Sequence, residues 1–170
     1  NIVESQSVPV VVVVSALGGV TDKLIATSQL ALKGNESYKD EYQAIVKAHQ
    51  DMVNAVVSDE NKRGDLLKTL EGLFEELRSI LYGIYLIRDL SPKTLAAIVS
   101  YGERMSSPIV ACLINGAQWF DSRKFIKTEF KHGSHFLDTE LSTKLIKETF
   151  STLPKVSVIP GFIGTDNVSG

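Results

Sequence analysis

The sequence predicts an α/β fold with a mostly parallel sheet, helices on both faces of that sheet, and a long helical hairpin. The valine run from Val10 to Val14 is continuous rather than alternating, which is typical of a strand buried on both faces. A second apolar run, Val156 to Ile159, lies near the other end of the chain. Amphipathic helical patterns fill most of the sequence between these runs, and strands separated by helices are typical of parallel sheets.

The valine run ends in a loop of small residues, Ser15 to Thr21, ahead of the first predicted helix. Two adjacent glycines in this loop allow a tight turn. Thr21 or Asp22 is expected to cap the helix that follows. That helix is predicted to run to about Lys33, where a Gly-Asn pair forms a stop signal.

Residues 37–88 are predicted to form the helical hairpin. Apolar residues recur every three or four positions from Tyr38 to Val57 and again from Leu66 to Ile84. The polar residues 58–64 are interpreted as the connecting linker, and a short linker favours an antiparallel pair. Two interpretations remain open for the hairpin: a scaffold packed over the sheet, or a surface for a partner or oligomer.

The second half of the chain alternates between helices and strands. A Ser-Pro pair at 91–92 is typical of a helix start, and the polar stretch 100–106 is expected to interrupt this helix or to open a new one. The apolar helix that follows is predicted to end at Gly116. The remaining predicted elements are strands at 117–121 and 125–128, a helix capped by Asp138 that runs to Phe150, and a strand at 156–159.

Composition and charge exclude several classes of function. The chain has 170 residues, of which 44% are hydrophobic and 22% charged, as in ordinary globular proteins. Its formal net charge of −2 disfavours a nucleic-acid or anionic-membrane surface. The longest apolar run is far shorter than the roughly 20 residues of a membrane helix, and no secretory signal is visible, so a cytoplasmic location is expected. The single cysteine, Cys112, excludes an internal disulfide framework.

Two loops lie where open α/β sheets bind ligands, at the carboxyl ends of predicted strands: 15–21 and 161–164. Backbone N–H groups around Ser15 and Ala16, with the start of the next helix, offer donors to an anion. Ser15 and Thr21 add hydroxyl groups. The first loop has neither the spacing of a dinucleotide fingerprint nor the lysine of a Walker A loop. On the residues alone, anion binding and a plain strand-to-helix turn both remain open.

Glu103, in the polar stretch 100–106, is the second candidate for ligand binding. Its carboxylate could hold a ligand ammonium group by charge-assisted hydrogen bonds. The alternative is a glutamate favoured at a helix start by the helix dipole, with Arg104 as its solvated neighbour. His132 and His135 have a spacing seen in metal sites, but no ligand cluster accompanies them, so we assign no metal ligand. No Ser-His-Asp or Cys-His arrangement is evident, so we assign no catalytic residue.

Four segments of the chain carry a family resemblance in their order and spacing. They are Val11 to Ala16 with Thr21, Ser100 to Ser106, Trp119 to Arg123, and Pro160 to Gly164. Together they resemble the catalytic domain of the aspartokinases, members of the amino-acid kinase superfamily. The sequence of these segments is most similar to that of the kinase half of the bifunctional aspartokinase–homoserine dehydrogenases.

Two motifs of that family have no counterpart in this sequence. The family's Lys-Phe-Gly-Gly-Thr-Ser motif, whose lysine reaches the ATP phosphates, would precede Asn1. Its Gly-Arg-Gly-Gly-Ser-Asp motif, whose arginine binds the substrate carboxylate, would follow Gly170. The resemblance therefore implies that residues 1–170 are the substrate-side half of a kinase domain, with the hairpin as an insertion at 37–88.

The resemblance implies that the complete protein transfers the γ-phosphoryl group of ATP, with Mg²⁺, to the side-chain carboxylate of L-aspartate. The product, 4-phospho-L-aspartate, leads to lysine, threonine and methionine. The substrate-binding residues carried over from the family are Ser15, Ala16, Thr21, Glu103, Gly161 and Phe162. In the family, the first three supply hydroxyl and backbone donors, Glu103 pairs with the aspartate ammonium, and the last two shape the pocket wall. The complete protein is expected to be a homo-oligomer, and this part alone to be inactive.

Two other classes of function remain as alternatives. One is another amino-acid kinase, acting on acetylglutamate, carbamate or a nucleoside monophosphate. Glu103 disfavours it, because an acetylated or amine-free substrate has no ammonium group to bind. The other is a non-catalytic helical interaction module, which requires an exposed apolar face on Tyr38 to Ile87.

Overall fold

The computed structural model describes residues 2–131 and 134–168. Its helices and strands alternate along the chain, as the sequence predicts. In chain order they are β1 (Val10–Val14), α1 (Val20–Leu32), α2 (Tyr38–Val56), α3 (Glu60–Ile87), α4 (Pro92–Leu113), β2 (Ala117–Trp119), a short 3₁₀ helix (Ser122–Lys124), β3 (Lys127–Lys131), β4 (Ser134–Leu137), α5 (Thr139–Thr149), β5 (Val156–Pro160) and β6 (Thr165–Asp166). Among the described residues, no helix combines the length and apolar character needed to cross a membrane.

The strands form two three-stranded sheets. The first is wholly parallel, with the order β1–β5–β2, and Val156 of β5 pairs with Val10 on one side and Ala117 on the other. The second has the order β4–β3–β6, in which β3 is antiparallel to β4 and parallel to β6. An α/β fold with a parallel sheet is thus confirmed. Because β1, β5 and β2 run in the same direction, their carboxyl ends meet at one edge of the first sheet.

Helix α4 covers one face of the first sheet. Val156 and Val158 are fully buried there against Val110 and neighbouring residues of α4. On the opposite face, Val11 and Val13 are 49% and 64% exposed. The expectation that the valine strand is buried on both faces is therefore wrong. Successive strand residues point to opposite faces, so Val11 and Val13 lie on the face of β1 away from α4, and helices on both faces of the sheet stay a prediction.

Helices α1 to α4 form a second layer with its own apolar core. Its fully buried members include Leu24, Ile45, Leu70, Leu77 and Met105. The apolar stripes of α2 and α3 face this core, and the Tyr42 hydroxyl donates to the Phe74 carbonyl across the pair at 3.0 Å. The burial of these stripes favours the interpretation of the hairpin as a scaffold. The placement of this helix pair as an insertion in a larger domain stays a prediction.

Several local expectations differ from the structure. Helix α3 begins at Glu60, inside the stretch expected to be a linker, because the Asp59 carboxylate accepts from the backbone N–H groups of Asn61 and Lys62. A side chain that accepts from the first free N–H groups of a helix favours a helix start at that position. Strands β4 and β6 lie where none was predicted. The caps expected at Ser91 and Asp138 are confirmed by their bonds to main-chain N–H groups.

Helix α4 is uninterrupted through 100–106, so the expected break is wrong. Here the hydroxyl groups of Ser106 and Ser107 find hydrogen-bond acceptors while the backbone stays helical. Ser107 Oγ donates to the main-chain carbonyl of Glu103 at 2.7 Å, and Ser106 Oγ donates to the carbonyl of Ser15 at 2.7 Å. Serine hydroxyls often bond to carbonyls in this way inside helices.

Burial of His49 makes stability depend on pH. Its Nδ1 donates to the Ile45 carbonyl at 2.8 Å, while Nε2 is buried without a hydrogen-bond partner among the described residues. Burial lowers the pKa of His49, because a charged imidazole would lose its hydration there. As pH falls, the unfolded chain therefore binds a proton at His49 at a higher pH than the folded chain does. The free energy of unfolding decreases as pH falls below about 6.5, the pKa of histidine in the unfolded chain.

We predict that the free energy of unfolding decreases from pH 7 to pH 5 by at most about 1.4 kcal/mol per pH unit from this group. Urea denaturation at several pH values measures it. In His49→Leu the decrease should disappear over this range, whereas in His135→Gln, at an exposed histidine, it should persist. An unchanged pH dependence in His49→Leu would contradict the assignment.

Candidate functional site

The loops that follow β1 and β5 lie side by side at the carboxyl edge of the first sheet. The backbone N–H of Gly161 donates to the Val14 carbonyl at 2.8 Å. A Cβ atom added to Gly161 would lie 2.8 Å from Val13 Cγ1, so only glycine allows this approach. The structure therefore places Gly161 directly beside the end of the valine strand.

Helix α4 packs against the loop after β1. The bond from Ser106 Oγ to the Ser15 carbonyl joins them. A Cβ atom on Gly102 would lie 2.7 Å from Ala16 Cβ, closer than side chains approach. The helical segment that carries Glu103 is therefore held directly against Ser15 and Ala16.

The position of Glu103 on α4 follows from helix geometry. Around the helix axis, Glu103 lies about 60° from Ser106 and about 40° from Ser107, on the side between them. Ser106 is bonded to the loop after β1, and Ser107 accepts a hydrogen bond from Trp119 at the end of β2. Glu103 is half-buried, and the side of α4 that it shares with these two serines is turned toward the ends of β1 and β2. The geometry brings Ser15, Ala16, Glu103 and Gly161 to one edge.

The first turn of α1 is open. Gly19 is its N-cap, with a φ of 76°, and no side chain bonds to the free N–H groups. The expectation that Thr21 or Asp22 caps the helix is wrong, because the left-handed conformation at the cap favours glycine and the helix begins at Val20. Cβ atoms added to Gly18 or Gly19 would meet nothing within 4 Å. The loop thus offers free donors and space to an anion, with Thr21 in the first turn.

Phe162 lies apart from the other predicted site residues. Its backbone has a positive φ of 57°, which is uncommon for a bulky residue. Its side chain is fully exposed. The described residues therefore form no apolar wall with Phe162, and its role in a pocket stays a prediction.

A charged cluster on the opposite side of α4 was missed by the sequence analysis. The carboxylate of Glu76 on α3 accepts from Tyr101 Oη at 3.0 Å and from Arg104 Nη2 at 2.8 Å. Arg104 is buried and lies over the Tyr101 ring, so the expectation of a solvated Arg104 is wrong. Burial alone would raise the pKa of Glu76, but the hydrogen bonds from Arg104 and Tyr101 outweigh it and lower that pKa. This cluster joins α3 to α4.

A second ion pair flanks Ser122, whose hydroxyl bonds to the loop after β5. Arg123 donates through Nε and Nη2 to both oxygens of the buried Asp121 carboxylate. Burial opposes ionisation of Asp121, yet the bonds from Arg123 lower its pKa. Ser122 Oγ between them donates to the Ile163 carbonyl at 3.2 Å. The only signal in the sequence was the Trp119–Arg123 motif, to which no role was assigned.

No group of three or more histidine, cysteine or acidic side chains in residues 2–131 and 134–168 is arranged to hold a metal ion. His132 lies outside the described residues. His135 Nδ1 lies 3.7 Å from the Asp166 carboxylate, on the second sheet.

The chain is similar in sequence to several aspartokinases. No protein-family model matches the chain. It is 27% identical over 165 residues to aspartokinase 1, chloroplastic, of Arabidopsis thaliana, covering 91% of this chain and 28% of that protein. It is 30% identical over 96 residues to an aspartokinase of Candida albicans, covering 56% of this chain and 17% of that protein.

Solved structures share the fold over almost the whole chain. E. coli aspartokinase III in complex with lysine and aspartate (T-state) matches with a TM-score of 0.82 and 25% identity. The same enzyme in complex with aspartate and ADP (R-state) matches in fold with a TM-score of 0.78 and 24% identity. Each match covers 98% of this chain and 37% of the solved chain. The fold is therefore aspartokinase-like, and the chain spans about a third or less of the relatives described here.

We predict that Gly102→Ala destabilises the protein, because its Cβ would be forced against Ala16. Overpacking of this kind costs about 1–3 kcal/mol, which outweighs the gain of up to about 1 kcal/mol in helix propensity. Urea denaturation measures the change. The matched control is Gly72→Ala on α3, where a Cβ meets nothing within 4 Å and should stabilise the helix. Equal stabilisation by both substitutions would show that α4 does not pack closely on this loop.

Proposed function

We propose that this chain is the substrate-side part of an aspartate kinase, which transfers the γ-phosphoryl group of ATP to the side-chain carboxylate of L-aspartate. The observation that carries the proposal is the packing of α4 on the loop after β1, through the Ser106–Ser15 bond and the close approach of Gly102 to Ala16. The aspartokinase-like fold and the relatives' names support the same reaction class.

Glu103 would bind the ammonium group of the substrate. Glu103 is half-buried on the segment of α4 that packs against the loop after β1, so a ligand of its carboxylate would reach the backbone donors around Ser15 and Ala16. Charge-assisted hydrogen bonds are about twice as strong as neutral ones. A small molecule with an ammonium at one end and a carboxylate at the other would thus be held at both ends.

The open first turn of α1 would receive the group being transferred. Its free N–H groups, the positive end of the helix dipole and the empty space over Gly18 and Gly19 fit a phosphoryl group. Bound ATP, with Mg²⁺, would supply that group. An aspartate side chain is already ionised at neutral pH, so it attacks without a general base. Positioning and neutralisation of charge then account for most of the catalysis.

Three finer points belong to the same proposal. We propose that the complete protein is most like the kinase half of a bifunctional aspartokinase–homoserine dehydrogenase, a likeness supported by the sequence motifs. We also propose that it is a homo-oligomer and cytoplasmic. Size-exclusion chromatography with light scattering on the complete protein tests the oligomer.

We predict that the 170-residue chain alone has no aspartate kinase activity, because it contains neither the family's phosphate-binding lysine motif nor its arginine motif. The assay measures ATP-dependent acyl-phosphate formation trapped with hydroxylamine. Complete E. coli aspartokinase III serves as the positive control. Clear turnover by the chain would refute the proposal that essential parts of the site lie on other segments.

We predict that Glu103→Gln in the complete enzyme weakens L-aspartate binding by about 10- to 150-fold, the loss of one charge-assisted contact. Isothermal titration calorimetry measures it. Glu71→Gln, at an exposed glutamate on α3, is the matched control and should bind normally. Stronger binding of N-acetyl-L-glutamate than of L-aspartate would favour a sibling kinase, and unchanged aspartate affinity would remove Glu103 from the site.

A further inference from the structure

Trp119 is the single tryptophan of the chain and the last residue of β2. It pairs with Val158 of β5, so both side chains point to the sheet face that α4 covers. It is nevertheless 40% exposed, since it lies at the carboxyl edge where the two loops meet. A large aromatic side chain therefore lies at the mouth of the candidate site, in a position to which no role has been assigned.

Two consecutive hydrogen bonds connect Trp119 to Glu103. The indole Nε1 donates to Ser107 Oγ at 2.8 Å, and Ser107 Oγ donates to the main-chain carbonyl of Glu103 at 2.7 Å. Ser107 is fully buried, so water does not compete for its hydroxyl. A single hydroxyl thus couples the end of β2 to the backbone of the ligand-binding glutamate.

The turn that contains Glu103 needs this support. Pro108 lies inside α4 and has no N–H, so it cannot donate to the Arg104 carbonyl one turn earlier. Among the described residues, no hydrogen bond or ion pair holds the Glu103 carboxylate itself. The placement of that side chain therefore depends on its backbone, which Ser106 holds against the loop after β1 and which Ser107 and Trp119 tie to the end of β2.

We propose that Trp119 and Ser107 are positioning residues that orient Glu103 toward the ammonium group of the substrate. The proposal rests on the proposed function. Trp119 acts through Ser107 and need not touch the substrate. Loss of the indole N–H leaves the Ser107–Glu103 bond in place but removes its anchor at the end of β2, so the turn before Pro108 can shift relative to the sheet and carry the carboxylate away from the ligand.

The test is steady-state kinetics of Trp119→Phe and Ser107→Ala in the complete enzyme. Each variant should raise KM for L-aspartate about threefold to tenfold, the effect of one neutral hydrogen bond. Values of kcat and of KM for ATP should stay within about twofold, because neither residue bonds elsewhere in the site. The double variant should be no worse than the more affected single one, since both act through one connection.

Ser100→Ala is the matched control, because Ser100 is half-buried on α4 and its hydroxyl donates to the Ala97 carbonyl within the same helix. It should leave all three constants unchanged. Additive effects, a fall in kcat together with a rise in both KM values, or an unchanged KM for aspartate would each overturn the proposal. If Ser107→Ala fails to fold, Trp119→Phe carries the test alone. A normal KM in Glu103→Gln would instead refute the proposed function, whatever these variants do.

Discussion

The contact between α4 and the loop after β1 is the constraint on which the candidate site depends. A serine hydroxyl, that of Ser106, holds the carbonyl of Ser15, and the missing side chain at Gly102 lets the helix reach Ala16. Because the parallel strands bring the loop after β5 to the same edge, this contact also brings α4 to the edge of the sheet where Gly161 lies. Under the proposed function no titratable base is needed at this site, since the carboxylate that would accept the phosphoryl group is already charged.

The rotation of α4 is fixed from two sides. Tyr101 and Arg104 bond to Glu76 on α3, while Ser107 accepts from Trp119 on the sheet. The helical layer therefore takes part in setting the direction of Glu103, although α2 and α3 lie away from the sheet edge. Arg104 is buried with Glu76 as its partner, so removal of Glu76 would leave a poorly hydrated charge beside the site.

The sequence was sufficient for the elements whose signals are local. The continuous valines predicted β1, and Ser91 and Asp138 predicted helix starts. Tertiary contacts decided the rest: the polar stretch 100–106 stays helical because the loop and sheet satisfy its serines. The exposure of Val13 could not be read from its neighbours, since it depends on which elements cover the sheet. Of the site residues, the resemblance supplied the roles, while the geometry around Glu103, including Trp119, required the structure.

The most direct measurement of the central claim is a nuclear magnetic resonance titration of the ¹⁵N-labelled complete protein with L-aspartate. If one pocket holds both ends of the substrate, the amide signals of Ser15, Ala16 and Glu103 shift together along one binding curve, and the indole signal of Trp119 shifts with them. Shifts confined to α2 and α3, away from the sheet edge, or no shifts at the sheet edge at millimolar aspartate, would contradict it.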